Sequence, residues 1–465
     1  MHAYYSVMII QIGTLKSKIV TDNSKLLDAL RDMYSFKIPG SQYSPHYRSR
    51  HWDGKKHFIT KDGYFRTGLL SRVLSDLNRI ECTPDLEYLE KNEAIPHNDY
   101  ELEGFKYYDY QQTLIKEGLS QKRGVIKSPT GSGKTLILAG LVKALKGKKM
   151  IIMFNAKQLI TQTYDFLTKT CGLEDIGICY GEGYEYGDVM LCTIQSIERV
   201  LDTHGEDVEV LMVDECHEFC NGRTTLPAIQ SFPKAKYRLG FTATPPEENI
   251  SLYNLEGAFG PIIESVNTAD LVEEGKLTKP IIQVVERTYF SSGVDKAMSY
   301  EEIYDTYIVN NETRNNIIKE IVHDIKRKQN RPRILILTKS LRHGRILEEM
   351  LRPIVWCSFL EGANSIGERY ESISRFRRHS EASVLIGTRV LQTGVNIEEI
   401  AHLINARSLK GKIATLQALG RALRKHKSKD QAYIYDFLDK EKYLYKHAKE
   451  RIKHYKQEGH EVRIL

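Results

Sequence analysis

Apolar positions follow two regimes along this chain, and the change falls near residue 105. Before it, short β-like runs (SVMIIQIGT, KHFITKDGYF) surround one helix-like segment near Ser24–Met33, which predicts a small α+β unit over residues 1–80. A tight turn at Asp53-Gly54 between strand-like runs predicts a hairpin. Residues 82–104 are acidic, carry two prolines and lack a period, so they read as a linker. After it, GVIKSPTGSGKTLILAGLVKAL reads as strand, loop and helix. KKMIIMFNA is a buried strand followed by a helix near Gln158–Leu167, and VMLCTIQS, VEVLMVDE and YRLGFTATP are further apolar strands. Strands alternating with helices predict a parallel sheet covered on both faces. The alternation restarts after about residue 280 with RPRILILTKS, ASVLIGTRV, AHLINARS and AYIYDFLD. The expected fold class is α/β: two tandem parallel-sheet domains preceded by a small α+β accessory domain. The basic tail KEKYLYKHAKERIKHYKQ is helix-like, and packing on the last domain is favoured over contact with a ligand.

Composition narrows the classes. The chain has 465 residues, 41% hydrophobic and 27% charged, as soluble globular proteins do. No apolar run approaches the roughly 18 residues of a membrane helix. MHAYYSVMIIQIGTLK lacks a basic lead and a small-residue cleavage site, so it reads as a strand rather than a signal peptide. Seven scattered cysteines favour a reducing compartment over a disulfide framework. The net charge is +7, and residues 1–80 hold all of it, with 13 Lys and Arg against 6 Asp and Glu. A basic head on a neutral body fits a polyanion partner.

The chemistry starts at KSPTGSGKT. Ser128, Pro129, Thr130, Gly131, Ser132 and Gly133 form a loop between strand and helix whose backbone N–H groups can close on phosphate oxygens. Lys134 would reach the β- and γ-phosphates, and the Thr135 hydroxyl would hold Mg²⁺. The usual pattern begins with Gly, and here Ser128 stands there. In VLMVDECHEFC, four apolar residues lead into Asp214 and Glu215. One carboxylate can hold Mg²⁺ while its neighbour positions and deprotonates water, the pair of jobs that ATP hydrolysis requires. Cys216, His217 and Cys220 lack the C-x-x-C pair of a zinc site. In QALGRALRK, Gln417, Gly420, Arg421 and Arg424 share one face of a helix. That is either a surface charge stripe or a pair of arginine fingers acting across a cleft.

Together these pieces resemble a superfamily 2 helicase of the DExH-box type. YDYQQ (Tyr110, Gln111) resembles the adenine-reading segment, although Tyr108 stands where an Arg is usual. SPTGSGKT resembles motif I. NAKQLITQ (Asn155 to Gln162) and TIQS (Thr193, Gln195) resemble motifs Ia and Ib, and DECH resembles motif II. FTATP (Thr242, Thr244) resembles motif III, ILILTKS motif IV, IGTRVLQTGVNI (Thr388, Gly394) motif V, and QALGRALR motif VI. The set covers about residues 105–425 in the family's order. The head, SPHYRSRHWDGKKHFIT, resembles the N-terminal domain of phage UvsW-like recombination and repair helicases.

The resemblance implies an accessory domain over 1–98, a RecA-like domain over 99–280 and a second over 281–465, with ATP and Mg²⁺ between the last two. Lys134, Asp214, Glu215, Gln417, Arg421 and Arg424 are the expected catalytic set, with Thr135 and Asp214 on the metal. Tyr110, Gln111, residues 128–135 and Gly394 are expected to bind nucleotide, and His217, Thr242 and Thr244 to relay its state. Asn155, Gln162, Thr193, Gln195 and Thr388 are expected on the nucleic-acid backbone, joined by Arg48, Arg50, Trp52, Lys55 and Lys56 of the head. The expected activity is 3′→5′ translocation with unwinding or branch migration of forked and four-way DNA, by a monomer with no membrane contact in the host cytoplasm. RNA unwinding, duplex translocation without strand separation, and a degenerate motor acting as a clamp remain alternatives.

Overall fold

A computed structural model describes residues 8–90, 97–219, 225–286, 298–388, 397–426 and 429–465. The chain folds as two compact units: residues 1–128 with 133–265, and residues 266–465 with the loop residues 129–132. Among the described residues no helix is long and apolar enough to cross a membrane.

The first unit contains the accessory fold and the first parallel-sheet domain. In the accessory fold, Met8–Ile12 pairs antiparallel with Lys16–Thr21, which pairs in turn with Tyr64–Arg66. Alternating burial along Met8–Ile12 puts Ile10 and Ile12 into a core with Ile19, Leu30 and Val73. The helix Ser24–Met33 is capped by Asn23, whose side chain accepts from Leu26 N–H at 3.0 Å.

Two expectations for this region need correction. Asp85–Tyr88 is not linker: it is a strand parallel to Met8–Ile12. All four of its side chains are exposed, so it carries no hydrophobic alternation by which a sequence could announce it. Nor is Asp53-Gly54 the turn of a tight hairpin. Lys55–His57 pairs with Ser35–Lys37 across the intervening loop, while the tight turn lies at the later Asp62-Gly63, where Gly63 has φ +80° and Thr60 N–H bonds to Tyr64 O at 2.9 Å.

The first large sheet has the strand order Gly183–Glu185, Ile176–Tyr180, Val189–Thr193, Met150–Phe154, Val210–Asp214, Tyr237–Thr242, Arg123–Lys127, Ile262–Glu264. All its neighbours pair in parallel except the edge hairpin. Met150–Phe154 and Val189–Thr193 are buried throughout, which explains their unbroken apolar runs.

The second unit holds a seven-stranded sheet in the order Trp356–Leu360, Ser383–Gly387, Arg333–Leu337, His402–Asn405, Gln431–Phe437, Lys279–Val285, Val462–Ile464. Every pairing in it is parallel. The tail is part of this unit. Helix Leu444–Gln457 buries Arg451, whose guanidinium donates to both Asp436 carboxylate oxygens, and the last strand joins the sheet edge. The fold is therefore two tandem RecA-like parallel-sheet domains preceded by a small α+β domain.

Candidate nucleotide site and nucleic-acid interface

Strand Arg123–Lys127 delivers the phosphate loop, and helix Lys134–Ala144 leaves it. Gly131 and Gly133 have φ +88° and +84°, values an L side chain rarely adopts. A Cβ on Gly133 would also lie 2.5 Å from Gln111 Nε2, so the side chain of the adenine segment packs directly on the loop. Gln111 is buried, and its Oε1 accepts from Tyr108 N–H at 3.0 Å. Tyr108, which stands in place of the usual Arg, stacks on Tyr110 with ring centroids 5.8 Å apart. Ser128 N–H donates to Thr242 O at 3.1 Å, tying the start of the loop to the end of the neighbouring strand.

Val210–Asp214 brings the carboxylates to the same sheet edge. Lys134 Nζ lies 2.8 Å from Glu215 Oε1 and 3.9 Å from Asp214 Oδ1. Burial pushes the Asp214 carboxyl up, opposed by Lys134, and the two carboxylates hold the Lys134 ammonium firmly charged against its own burial. Glu215 sits at φ +46°, ψ +45°, a left-handed conformation uncommon for a residue with a Cβ. Gly240 on the adjacent strand makes room for Cys216, because a Cβ there would come 2.7 Å from its Sγ.

These residues fit ATP and Mg²⁺. The glycine conformations open the loop backbone to phosphate oxygens, and the buried ammonium with two carboxylates is the donor set that a phosphate and a hard cation can share. When bound, Mg²⁺ would neutralise charge building on the phosphates. The chain would hold it through Thr135 and Asp214, and Glu215, beside Lys134, would orient and deprotonate water.

His217 is buried with Nδ1 2.8 Å from Thr242 Oγ1, which also accepts from Thr244 N–H at 3.0 Å. Burial lowers the His217 pKa, so the ring is neutral. Neither His217 Nε2 nor Thr244 Oγ1 has a partner among the described residues.

Of the other expected residues, Gly394 and Cys220 lie outside the described residues. Gln417 and Arg421 have their backbone in the helix Lys412–Ala422, and their side chains are likewise outside the description. Arg424 does not share that helix face, as the helix ends two residues earlier. The carbonyls of Leu423 and Arg424 turn instead to Thr278 N–H (2.8 Å) and Thr278 Oγ1 (3.2 Å), and those bonds replace a further helical turn. Thr388 directly follows the strand Ser383–Gly387.

On the first domain, Asn155 donates to Glu218 Oε2 at 2.6 Å, and Gln162 and Gln195 are exposed. Thr193 is buried, with its hydroxyl 3.0 Å from that of Ser196. In the head, Arg48, Arg50 and Trp52 line one concave surface of about 580 Å³ with Tyr47 and His51. Lys55 and Lys56 are not in that lining. Lys55 Nζ lies 3.7 Å from Asp32, and Lys56 donates to Asn254 Oδ1 at 2.7 Å. Sequence reasoning missed how the head is anchored. Arg72 clamps Glu256 with two 2.7 Å bonds, and Tyr253 joins the aromatic cluster of Tyr34, Phe36 and Phe58. Both partners sit on the helix Asn249–Phe259, which follows motif III.

Comparison with known proteins places three families on the chain. "Type III restriction enzyme, res subunit" matches residues 104–247, "Helicase conserved C-terminal domain" residues 313–426, and "DNA helicase UvsW, N-terminal" residues 15–86. The ATP-dependent DNA helicase uvsW of Enterobacteria phage T4 is 24% identical over 92% of this chain and 93% of its own length. The DNA 3′-5′ translocase XPB2 of Sulfurisphaera tokodaii is 24% identical over 68% of this chain and 78% of its own. Among solved structures, the ATP-dependent Type ISP restriction-modification enzyme LlaBIII bound to DNA shares the fold. It has a TM-score of 0.59 and 16% identity, over 82% of this chain and 33% of that one.

Proposed function

We propose that this chain, an enzyme with the motor domains of a superfamily 2 DExH-box helicase and the N-terminal domain of the phage UvsW-like group, couples ATP hydrolysis to 3′→5′ movement on DNA. Its substrates on this reading are forked and four-way DNA, which it unwinds or branch-migrates as a monomer in the host cytoplasm. The observation that carries the reading is the convergence of Lys134, Asp214 and Glu215 at the phosphate loop, with His217 joined to Thr242. Binding alone requires no second carboxylate, whereas hydrolysis requires one to hold the metal and one to activate water. Arg421 and Arg424 of the second motor domain are assigned to sensing the γ-phosphate, a role worth roughly 10³–10⁵ in rate in other nucleotide hydrolases. Polarity is supported by the similarity to relatives such as the DNA 3′-5′ translocase XPB2, and the branched substrate by the family that the head matches and its basic charge.

Strand displacement on forks that carry a single-stranded arm of one polarity tests this. ATP-dependent displacement is expected with a 3′ arm and not with a 5′ arm alone. Displacement from the 5′ arm only would overturn the polarity, and none on any fork or four-way junction would overturn the substrate.

A further inference from the structure

We propose that the cavity between the accessory fold and the trailing edge of the first motor sheet binds a phosphate group at a site separate from the phosphate loop. The cavity is about 440 Å³ and its lining includes Lys122, Arg123, Lys236, Thr14, Ser71 and Glu90. Arg123 opens the strand whose other end, Lys127, leads into the phosphate loop. The four steps between them span about 13 Å, so ATP held at that loop does not fill this cavity.

Three observations point to an anion. First, Arg123 has no counter-ion among the described residues. One guanidinium N–H donates to the carbonyl of Thr14, its buried Nε has no partner among the described residues, and no carboxylate there pairs with it. Burial alone pushes its pKa down, to about 10. Its neighbour Arg238 is fully buried and donates to the carbonyls of Ile229, Phe232 and Ala258, so it adds positive charge without bringing an acid. Second, Lys122 caps the helix Asp109–Gln121 in the left-handed conformation, at φ +60°. Glycine serves that position without strain, and a lysine held there keeps an ammonium at the cavity. Third, Lys236, directly before Tyr237–Thr242, adds a further cation at the same sheet edge.

Glu90, the acid of the described lining, accepts the Thr14 hydroxyl at 2.7 Å and is exposed, so it stands at the rim. A guanidinium with two ammonium groups matches the oxygens of a phosphate. That phosphate can come from a DNA backbone or from a free nucleotide.

The test uses the full chain in a Lys134→Ala background, which disables the phosphate loop, with sodium pyrophosphate and a short blunt DNA duplex as titrants. Lys122→Gly removes one ammonium and relieves the left-handed strain, so the fold should be as stable as before or more so. Lys236→Gln removes the second without touching the helix cap, and keeps the test alive if Lys122→Gly unfolds. A roughly tenfold loss of pyrophosphate affinity in both variants, the scale of one charge-assisted bond, supports the site and identifies a free phosphate. A loss of duplex affinity with the salt slope reduced by about one per variant supports the site and identifies the DNA backbone. Unchanged binding of both titrants, or no binding of either, overturns it. The proposal does not rest on the helicase reading. Failure of DNA-stimulated ATP hydrolysis would sink that reading and leave this result standing.

Discussion

At the scale of single residues, Thr242 is the most informative position. Its fully buried hydroxyl oxygen accepts the Thr244 N–H at 3.0 Å and shares a second hydrogen bond, at 2.8 Å, with His217 Nδ1. One of these bonds joins DECH to FTATP and the other lies within FTATP, and the proposed relay of nucleotide state runs through the first. Thr242→Val keeps the shape and removes both bonds, a cost of about 1–3 kcal/mol in a buried site. Basal ATPase is expected to stay within a few-fold of wild type while strand displacement per ATP falls about tenfold or more. Equal losses in both assays would make Thr242 merely structural. Lys134, Asp214 and Glu215 are legible from sequence because a phosphate loop and a strand-ending acid pair have fixed chemical partners. The left-handed backbone of Glu215 is not, since no glycine or asparagine marks it.

At the scale of elements, the head is held to the first motor domain by a specific clamp. Glu256 keeps only 8% side-chain exposure, so Arg72→Ala leaves a nearly buried carboxylate unpaired. Because the Arg72 side chain is itself 35% exposed, the expected cost is discounted for solvent screening to about 2 kcal/mol, read as a shift in denaturation midpoint. Adding Glu256→Gln should recover at least half of it, and a neutral Arg72→Ala would show that the clamp contributes nothing. The second unit has its own signature. Burial pushes His343 down to about 3, and His402 and His460 to about 4. Depressed histidines are neutral when folded, so their contribution is complete above the unfolded value near 6.5 and is lost as pH falls toward the folded values. Each contributes at most about 1.4 kcal/mol per pH unit in that window, so the second unit should melt markedly lower at pH 5 than at pH 7. His402→Gln should shallow that dependence, and an identical pH profile would contradict it.

Legibility also differs between elements. Long apolar strands and the capped helix Ser24–Met33 follow from periodicity. The exposed strand Asp85–Tyr88, the final strand Val462–Ile464 and the Arg72–Glu256 clamp do not. Each of these is decided by a partner far along the chain rather than by its own pattern.

At the scale of the whole molecule, charge and architecture point the same way. The neutral body holds the phosphate loop with Lys134, Asp214 and Glu215, and the basic head presents Arg48, Arg50 and Trp52 on one surface. The anchoring of that head changes how it should be studied. Removing residues 1–80 would uncover Tyr253 and strand Glu256, so a truncation would confound loss of DNA contact with damage to the motor.

The central claim is that ATP hydrolysis at Lys134, Asp214 and Glu215 is driven by DNA. The direct measurement is ATP turnover by the intact chain with single-stranded DNA, duplex, fork, four-way junction or RNA, alongside Lys134→Ala. Turnover that rises most with fork and junction, and falls about a hundredfold or more in Lys134→Ala, is the predicted result. Stimulation by RNA alone, or wild-type turnover in Lys134→Ala, would contradict it.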